Sequence, residues 1–259
     1  MNFRINLLDK NTVKRLLPGI AFILLLMPVA TSSVLDFEQD RREELRLEQD
    51  RVKKEAEIKV YLMGKFDQSL HEDFSLIPPP LVMGPSKMYL RKEALEAYIE
   101  MRDVAKNDGI DLRIASATRN FDYQKGIWNN KWTGARLVEG LDLSVSVPDG
   151  LLRFRKIIEY SAAPGTSRHH CGTDIDINGA EPAYFETELG KAEYEWLVRN
   201  APMFGYCQTY DLKGAQRATG YHEEKWHWSY MPLARDFLEE YKKLIKDEDI
   251  KGFLGDEYV

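Results

Sequence analysis

The sequence predicts an α+β fold in which helices pack on a central antiparallel sheet. Hydrophobic residues recur at helical spacing in several long segments, and they alternate with polar residues in a few short ones. The predicted helices occur in blocks, and the predicted strands are joined mostly by hairpin-length or loop connections. The chain has 259 residues, of which 44% are hydrophobic and 30% charged, so one globular domain with an appendage is expected.

The N-terminal segment is predicted to be an export signal that is not part of the fold. Lys10, Lys14 and Arg15 precede an apolar stretch at residues 19–30, and small residues follow at 31–33. This order is typical of a secretory signal peptide, and the apolar stretch is short for a membrane span of about 20 residues. Flanking apolar residues keep an uncleaved N-terminal anchor open as the alternative. Either way, the protein is expected in the periplasm or cell envelope.

A charged segment and an irregular lead-in follow. Residues 37–60 are dense in Glu, Asp, Arg and Lys, which predicts a solvated helix. Three successive prolines and a Gly-Pro pair within residues 62–87 predict irregular structure. The chain is therefore divided into a signal or anchor at 1–33, a charged helical segment at 34–61 and a globular domain at 62–259.

The globular domain begins with a helix and a strand. Hydrophobic residues recur at helical intervals over residues 91–107, and Asp108-Gly109 ends this helix. Leu112 and Ile114 alternate with polar or small residues, which predicts a strand at 111–117. Further helices are predicted at 121–132, 149–160, 186–200 and 232–246, further strands at 173–177, 205–210 and 226–230, and a loop at 136–148.

Charge and cysteine content narrow the possible functions. A net charge of −6 provides no basic surface for nucleic acid, so no nucleic-acid partner is expected. Cys171 and Cys207 would meet an oxidising compartment after export, which slightly favours a disulfide between them. Two buried thiols that pack as small hydrophobic groups are the alternative.

Histidines and carboxylates concentrate in two segments, residues 167–176 and 222–227. Four of the five histidines in the chain lie in or beside these segments: His169, His170, His222 and His227. A hydrolytic zinc site requires three His, Asp or Glu ligands, an open position for water and a nearby glutamate that is not a ligand. The two segments contain the residue types for such a site.

The first segment can place an imidazole beside a carboxylate. In a strand at 173–177, the side chains of Asp174 and Asp176 point to the same face. Gly172 permits a turn that returns His169 over that face. An imidazole and a carboxylate can therefore share one ion.

The second segment can complete the site. In a strand at 226–230, His227 points to the face opposite Trp226 and Trp228. Glu224 lies just before this strand, where it can approach a water without binding the metal. Each of these residues alone is more commonly an ordinary surface or core residue, but together they predict a metal site.

The combined pattern resembles a known family. Ser-x-His-x-x-Gly-x-x-x-Asp followed by Glu-x-Trp-His is similar to the zinc D-alanyl-D-alanine carboxypeptidases of the VanY type (peptidase family M15), which are related to VanX-type dipeptidases and the hedgehog domain. The resemblance extends over residues 62–244 and implies the α+β fold of those proteins. It also implies that His169, Asp176 and His227 bind Zn²⁺ and that Glu224 is the general base.

A further resemblance concerns the substrate. Residues 116–124 are similar to the family's Ser-Gly-Tyr-Arg-Ser…Gln segment. This similarity implies that Arg119 lies in the cleft, where its guanidinium can bind a developing oxyanion or a substrate carboxylate. It makes Gln124 and Ser167 lesser substrate contacts. A structural salt bridge is the alternative role for Arg119.

The sequence departs from the family pattern at several positions. Asp174 stands where a small residue is usual. Its carboxylate can orient His169, compete as a metal ligand or bond to the backbone. An orienting or structural role is favoured. Lys225 and Ser229 replace a frequent Pro and Arg, which affects substrate choice rather than the metal. We interpret His170 as a neighbour of the site, and Glu223 is the second candidate for the base.

These inferences predict a zinc-dependent carboxypeptidase that hydrolyses D-alanyl-D-alanine or related bonds in peptidoglycan stem peptides. A non-catalytic, zinc-stabilised wall-binding module is the alternative, and it is disfavoured because a binder needs neither Glu224 nor Arg119. D,D and L,D specificity, and exo- and endo-action, stay open. Contact with a membrane is expected only through the N-terminal segment, if that segment is not cleaved.

Overall fold

The computed structural model describes residues 10–215 and 217–259, with side chains from residue 36 onward. This part of the chain forms two compact units, one ending at Glu55 and the other spanning Ala56–Val259. The predicted signal or anchor at residues 1–33 lies outside the residues whose side chains are described. No helix in the described part of the chain offers an apolar stretch of the length that a membrane crossing requires.

Helix α1 comprises Lys10–Leu62 and includes the charged segment. Its charged side chains pair one turn apart, as between Arg51 and Glu48 at 2.6 Å and between Arg46 and Asp50 at 3.8 Å. Such pairs stabilise a solvated helix by a few tenths of a kcal/mol each, about 0.2–0.5. The charged segment is thus helical, as the sequence predicts.

The second unit contains short strands and medium-length helices. The helices are α2 (Lys92–Asn107), α3 (Phe121–Trp132), α4 (Leu143–Ser146), α5 (Gly150–Ile158), α6 (Glu188–Asn200) and α7 (Met231–Leu244). The strands are β1 (Phe74–Leu76), β2 (Tyr89–Arg91), β3 (Ile114–Ser116), β4 (Asp174–Ile177), β5 (Tyr206–Gln208) and β6 (His227–Tyr230). These elements agree with the predicted segments to within a few residues at most ends.

Two short features differ from the sequence prediction. The strands β1 and β2 pair as a small antiparallel sheet within and just after the predicted irregular lead-in. Helix α4 lies in the predicted loop, where the side chain of Asp142 accepts a hydrogen bond from the backbone N–H of Ser144 at 2.8 Å. Elements of three or four residues are too short for hydrophobic periodicity to reveal.

A four-stranded antiparallel sheet with the order β3–β4–β6–β5 forms the centre of this unit. The pairing of β4 with β6 places Asp176 opposite His227 and Asp174 opposite Ser229. Because side chains alternate along a strand, these four polar residues share one face of the sheet. The opposite face is mainly apolar, and Ile175, Ile177 and Trp228 on it are buried.

This unit contains two hydrophobic cores. The first covers the apolar face of the sheet with side chains from α2 and α6, including Tyr98 and Leu197. The second joins α3, α5, α7 and the end of α1 around Trp128 and Ile157. Helices packed on a central antiparallel sheet confirm the predicted α+β class.

The structure contradicts the slight preference for a disulfide, because both cysteines are free. Cys207 lies in β5, opposite Ser229, which is in turn opposite Asp174 on β4. The two outer strands of such a triplet are about 10 Å apart, whereas a disulfide needs Cα atoms within about 7 Å. Cys171 lies just before β4 and is buried, and burial raises the pKa of its thiol to about 12.

Candidate active site

Three side chains that the sequence predicts to bind a metal converge on the polar face of the sheet. Nε2 of His169 lies 3.3 Å from Nδ1 of His227 and 3.5 Å from Oδ1 of Asp176. Nδ1 of His227 lies 3.2 Å from the same carboxylate oxygen. All three side chains are buried. Two nitrogens and one oxygen therefore face a common point.

The geometry of this triangle fits a zinc ion. Zinc binds nitrogen and oxygen ligands at about 2.0–2.2 Å in a tetrahedron, which separates any two ligand atoms by about 3.4 Å. The three observed separations of 3.2, 3.3 and 3.5 Å match one face of such a tetrahedron. In the described part of the chain, His169, Asp176 and His227 form a group able to hold a metal ion. A zinc ion held by three protein ligands would have a fourth position for water or substrate.

Local sequence explains how His169 reaches the sheet. His169 lies in a 3₁₀ turn, Arg168–Cys171, and Gly172 ends this turn with a positive φ of 72°. A Cβ atom at Gly172 would lie 2.3 Å from Cε1 of Phe74, so no other residue fits without displacing that ring. The turn directs the chain into β4 and leaves His169 above the carboxylate of Asp176, as the sequence predicts.

Hydrogen bonds to the outer ring nitrogens orient both imidazoles. Nδ1 of His169 lies 2.8 Å from the carbonyl oxygen of Ala117, which can only accept, so that nitrogen carries the proton. Nε2 of His227 lies 3.1 Å from Oδ2 of Asp174. Asp174 therefore contacts His227. From the sequence, His169 is the histidine that Asp174 could orient, and the structure corrects this to His227. In the neutral form of each ring, the nitrogen that faces the common point has its lone pair free for a metal.

Burial and charge determine the protonation of this cluster. Burial favours the neutral form of Asp176, but the charge and hydrogen bonds of the two histidines outweigh it and hold the pKa of Asp176 well below its usual range. Burial also disfavours a charged His227, but its hydrogen bonds to Asp174 and Asp176 raise its pKa to about 9. For His169, burial dominates and lowers the pKa. Without a metal, His227 is therefore the charged imidazole of the cluster at neutral pH, and His169 is neutral.

Glu224 lies beside the metal ligands without being one of them. Its Oε2 is 3.7 Å from Nδ1 of His227, and its backbone N–H donates to the carbonyl of Tyr210 at 2.8 Å. Burial raises the pKa of Glu224, and the nearby charge of Asp176 adds to this effect. A partly buried carboxylate with a raised pKa next to a metal position can exchange a proton with water and substrate.

The neighbouring Glu223 has different surroundings. Its Oε1 accepts a hydrogen bond from the hydroxyl of Tyr194 on α6 at 3.3 Å. Tyr194 packs against the first hydrophobic core, on the apolar side of the sheet. Of the two candidates for the base, only Glu224 has a contact with a metal ligand among the described residues.

Arg119 is attached to the metal-binding segment through its backbone. Its N–H donates to the carbonyl of His169 at 3.2 Å, and its carbonyl accepts from Nδ1 of His170 at 2.6 Å. Its Nε is buried and has no hydrogen-bond partner among the described residues, and no ion pair involves Arg119 there. The structure thus provides no support for the alternative of a structural salt bridge. The charge of Arg119 acts on the pKa of both His169 and Glu224, so its guanidinium lies within electrostatic reach of the cluster.

Gln124 and Ser167, the lesser substrate contacts implied by the resemblance, are both buried. Nε2 of Gln124 donates to the carbonyl of Ala162 at 2.8 Å, and its Oε1 is buried without a partner among the described residues. The carbonyl of Ser167 accepts from the N–H of His170 at 3.1 Å. Their roles in substrate binding stay predictions.

Two features of the site are missing from the sequence predictions. The ring of Tyr210 packs against His227 with centroids 4.9 Å apart, and Tyr221 packs edge-on against Tyr210 at 4.8 Å. Arg168 forms an ion pair with Asp174 at 2.9 Å. Only the second could have been anticipated, because a buried carboxylate in a strand requires a cationic or hydrogen-bonding partner.

Comparisons with known proteins show the family of the chain. A sequence model of the VanY family, described as D-alanyl-D-alanine carboxypeptidase, matches residues 87–233, more than half of the chain. The chain is 30% identical over 166 residues to the putative carboxypeptidase YodJ of Bacillus subtilis (strain 168), covering 63% of this chain and 52% of YodJ. It is 27% identical over 134 residues to a D-alanyl-D-alanine carboxypeptidase of Enterococcus faecalis, covering 52% and 45%. The chain spans about half the length of the curated relatives it matches.

A solved structure shares the fold. The LdcB LD-carboxypeptidase superposes with a TM-score of 0.50 and 29% sequence identity, covering 71% of this chain and 81% of that one. The fold, the buried cluster and these relatives together show that the chain contains a domain of the carboxypeptidase class. Within that class, the chain belongs to the VanY family of D-alanyl-D-alanine carboxypeptidases.

Proposed function

We propose that this protein is a zinc-dependent carboxypeptidase that releases the C-terminal D-alanine of peptidoglycan stem peptides. The convergence of His169, Asp176 and His227 within 3.5 Å of one another is the observation that carries the proposal. A zinc ion held by these residues would polarise the scissile carbonyl and lower the pKa of a bound water to about 7.

Glu224 is proposed as the general base and then the general acid. Its carboxylate lies 3.7 Å from a ligand atom, close enough to take a proton from the attacking water and pass it to the leaving amine. Burial raises the pKa of Glu224, which brings it closer to neutrality and makes the return of the proton easier. A general base of this kind typically contributes about 10²–10⁴-fold to the rate.

Arg119 is proposed to bind the terminal carboxylate of the substrate. Its buried Nε has no partner among the described residues, which is costly for a cationic donor unless a ligand supplies an acceptor. A guanidinium presents a planar fork of donors that matches a carboxylate. A free C-terminus in this position would make the enzyme an exopeptidase.

The names of the relatives support a substrate with a C-terminal D-alanine. The matched protein of Enterococcus faecalis is called a D-alanyl-D-alanine carboxypeptidase, and LdcB is called an LD-carboxypeptidase. A pentapeptide stem cleaved at its D,D bond and a tetrapeptide stem cleaved at its L,D bond both release D-alanine. The proposal therefore concerns this shared product, and both stems belong in its test.

We also propose that the protein is exported and acts in the cell envelope. The cationic flank, apolar stretch and small residues within positions 1–33 support export, with an uncleaved anchor as the alternative. Fractionation of cells that express the full-length chain, followed by N-terminal sequencing, tests this proposal. A protein retained in the cytoplasm would contradict it.

The decisive experiment uses the full-length, zinc-loaded protein and defined tetrapeptide and pentapeptide stems, with products identified by mass. Release of free D-alanine from at least one stem is expected. Glu224→Gln should keep its zinc and lose hydrolysis by at least 10²-fold. Glu223→Gln is the matched control and should retain activity, because this neighbour faces Tyr194. Zinc binding without cleavage of either stem would instead favour the non-catalytic wall-binding module.

A further inference from the structure

Asp174 is a fully buried carboxylate that lies next to the metal ligands without facing their common point. Its Oδ2 is 3.1 Å from Nε2 of His227, and the same oxygen accepts from Nε of Arg168 at 2.9 Å. Its exposed fraction is 0%. A buried carboxylate is costly unless donors satisfy its oxygens, so the surroundings of Asp174 require an explanation.

The second carboxylate oxygen of Asp174 also accepts two hydrogen bonds. Oδ1 accepts from the hydroxyl of Ser229 at 2.6 Å and from that of Thr173 at 3.0 Å. The Ser229 hydroxyl in turn accepts from Nη2 of Arg168 at 2.9 Å and from the hydroxyl of Thr209 at 2.8 Å. Four donors, the side chains of His227, Arg168, Ser229 and Thr173, thus hold this carboxylate in a single orientation.

This orientation matters for the tautomer of His227. A neutral imidazole carries one proton, on either ring nitrogen, and only the bare nitrogen can bind a metal. Nδ1 of His227 is the nitrogen that lies 3.2 Å from Asp176 and 3.3 Å from His169. The proton must therefore stay on Nε2, where Asp174 is the acceptor. Without Asp174, that N–H would be buried with no acceptor in its present position.

We propose that Asp174, held by Arg168 and Ser229, is a positioning residue that keeps the proton of His227 on Nε2 and thereby sets the metal affinity of the site. Hydrogen-bonding partners of metal-bound histidines have this effect in other proteins, where their loss typically weakens metal binding about 10- to 100-fold. The inference rests on the proposed function only in assuming that the site binds zinc.

Zinc affinity of the full-length protein provides the first test, measured by competition with a chromophoric chelator. Asp174→Ala should raise the zinc dissociation constant about 10- to 100-fold. Asp174→Asn keeps an acceptor oxygen and should recover most of this loss. The matched control is Glu193→Gln, because Glu193 is also buried and accepts a hydrogen bond from Tyr184 at 2.7 Å, but contacts none of the three metal ligands. Asp174→Ala and Glu193→Gln binding zinc equally well would overturn the proposal.

The ring proton of His227 provides a second test that does not depend on zinc. In metal-free protein labelled with ¹⁵N-histidine, at a pH above about 9 where the ring of His227 is neutral, the Nε2-bound proton should resonate far downfield and exchange slowly in the wild type and in Asp174→Asn. In Asp174→Ala it should exchange rapidly. A wild-type spectrum in which neutral His227 carries its proton on Nδ1 refutes the proposed role, even if Asp174→Ala fails to fold.

The two tests separate this inference from the proposed function. A wild-type protein that does not bind zinc contradicts the proposed function, while the ring-proton measurement still decides the role of Asp174. A wild-type protein that binds zinc but cleaves no stem peptide also contradicts the proposed function, while the affinity comparison still decides the role of Asp174.

Discussion

Nδ1 of His170 donates a hydrogen bond to the backbone carbonyl of Arg119 over 2.6 Å. Nε2 of the same ring accepts from the N–H of Gly165 at 3.1 Å, so His170 is neutral with its proton on Nδ1. The N–H of Arg119 bonds to the carbonyl of His169. Two adjacent histidines therefore have separate tasks: His169 faces the metal position, and His170 attaches Arg119 to the same turn.

The buried, neutral His170 predicts a loss of stability in acid. Burial lowers the pKa of His170 to about 4, below the value of about 6.5 expected in the unfolded chain. As the pH falls from about 6.5 towards 4, the unfolded state binds the proton first, so the free energy of unfolding falls by up to about 3 kcal/mol. Urea unfolding of the chelator-treated protein at several pH values measures this loss. His170→Asn should be less stable at neutral pH but should lack this part of the pH dependence, and parallel curves for the two proteins would contradict the assignment.

Zinc binding should release a proton. The hydrogen bonds to Asp174 and Asp176 raise the pKa of His227 to about 9, so at pH 7 the metal-free ring is charged. Burial lowers the pKa of His169, so this ring is already neutral at pH 7 and keeps its single proton on Nδ1 when zinc binds. Binding at pH 7 should expel about one proton, and the apparent affinity should rise about tenfold per pH unit up to about pH 9. Calorimetric titrations in buffers of different ionisation enthalpy count this proton, and a count of zero would be inconsistent with the arrangement.

Substitution of Arg119 should act through the substrate carboxylate. Arg119→Lys keeps the charge but loses the planar fork, and a charged hydrogen bond contributes about 1.5–3 kcal/mol. We expect kcat/KM to fall about 10- to 100-fold on stem peptides with a free C-terminus. Peptides with an amidated C-terminus should be poor substrates for both proteins and should differ little between them. An equal loss on both kinds of peptide would indicate a role in positioning the site rather than in binding the carboxylate.

Gly172 should be essential for the turn before β4. Gly172→Ala combines the strain of a residue at φ 72° with a clash against the ring of Phe74. Gly109 also has a positive φ, of 81°, but has no atom within 4 Å of an added Cβ, so Gly109→Ala isolates the backbone strain. We expect about 1 kcal/mol of destabilisation at Gly109 and about 2–4 kcal/mol at Gly172, measured by urea unfolding. Zinc affinity should fall only for Gly172→Ala, and equal effects at the two glycines would contradict the role of the close packing.

Much of the site is encoded locally. Residues 167–176 contain a turn glycine and an alternating strand, so the relative positions of His169 and Asp176 follow from φ preferences and strand periodicity within ten residues. The long helices are also encoded locally, because hydrophobic residues recur at helical spacing within each segment. The α+β class and the family resemblance were therefore predictable, and the short elements β1, β2 and α4 were not.

Only the tertiary structure decided which distant residues meet. The register of β4 with β6 places Asp176 opposite His227 and turns Asp174 towards Nε2 of that ring, whereas the sequence alone leaves orientation of His169, metal binding and a backbone contact open for Asp174. The sheet order separates the strands near the two cysteines, which leaves both thiols free. Strand order and register depend on packing among residues tens of positions apart. The alternation of side chains within one strand does not reveal them, because that alternation is the same whichever strand it pairs with.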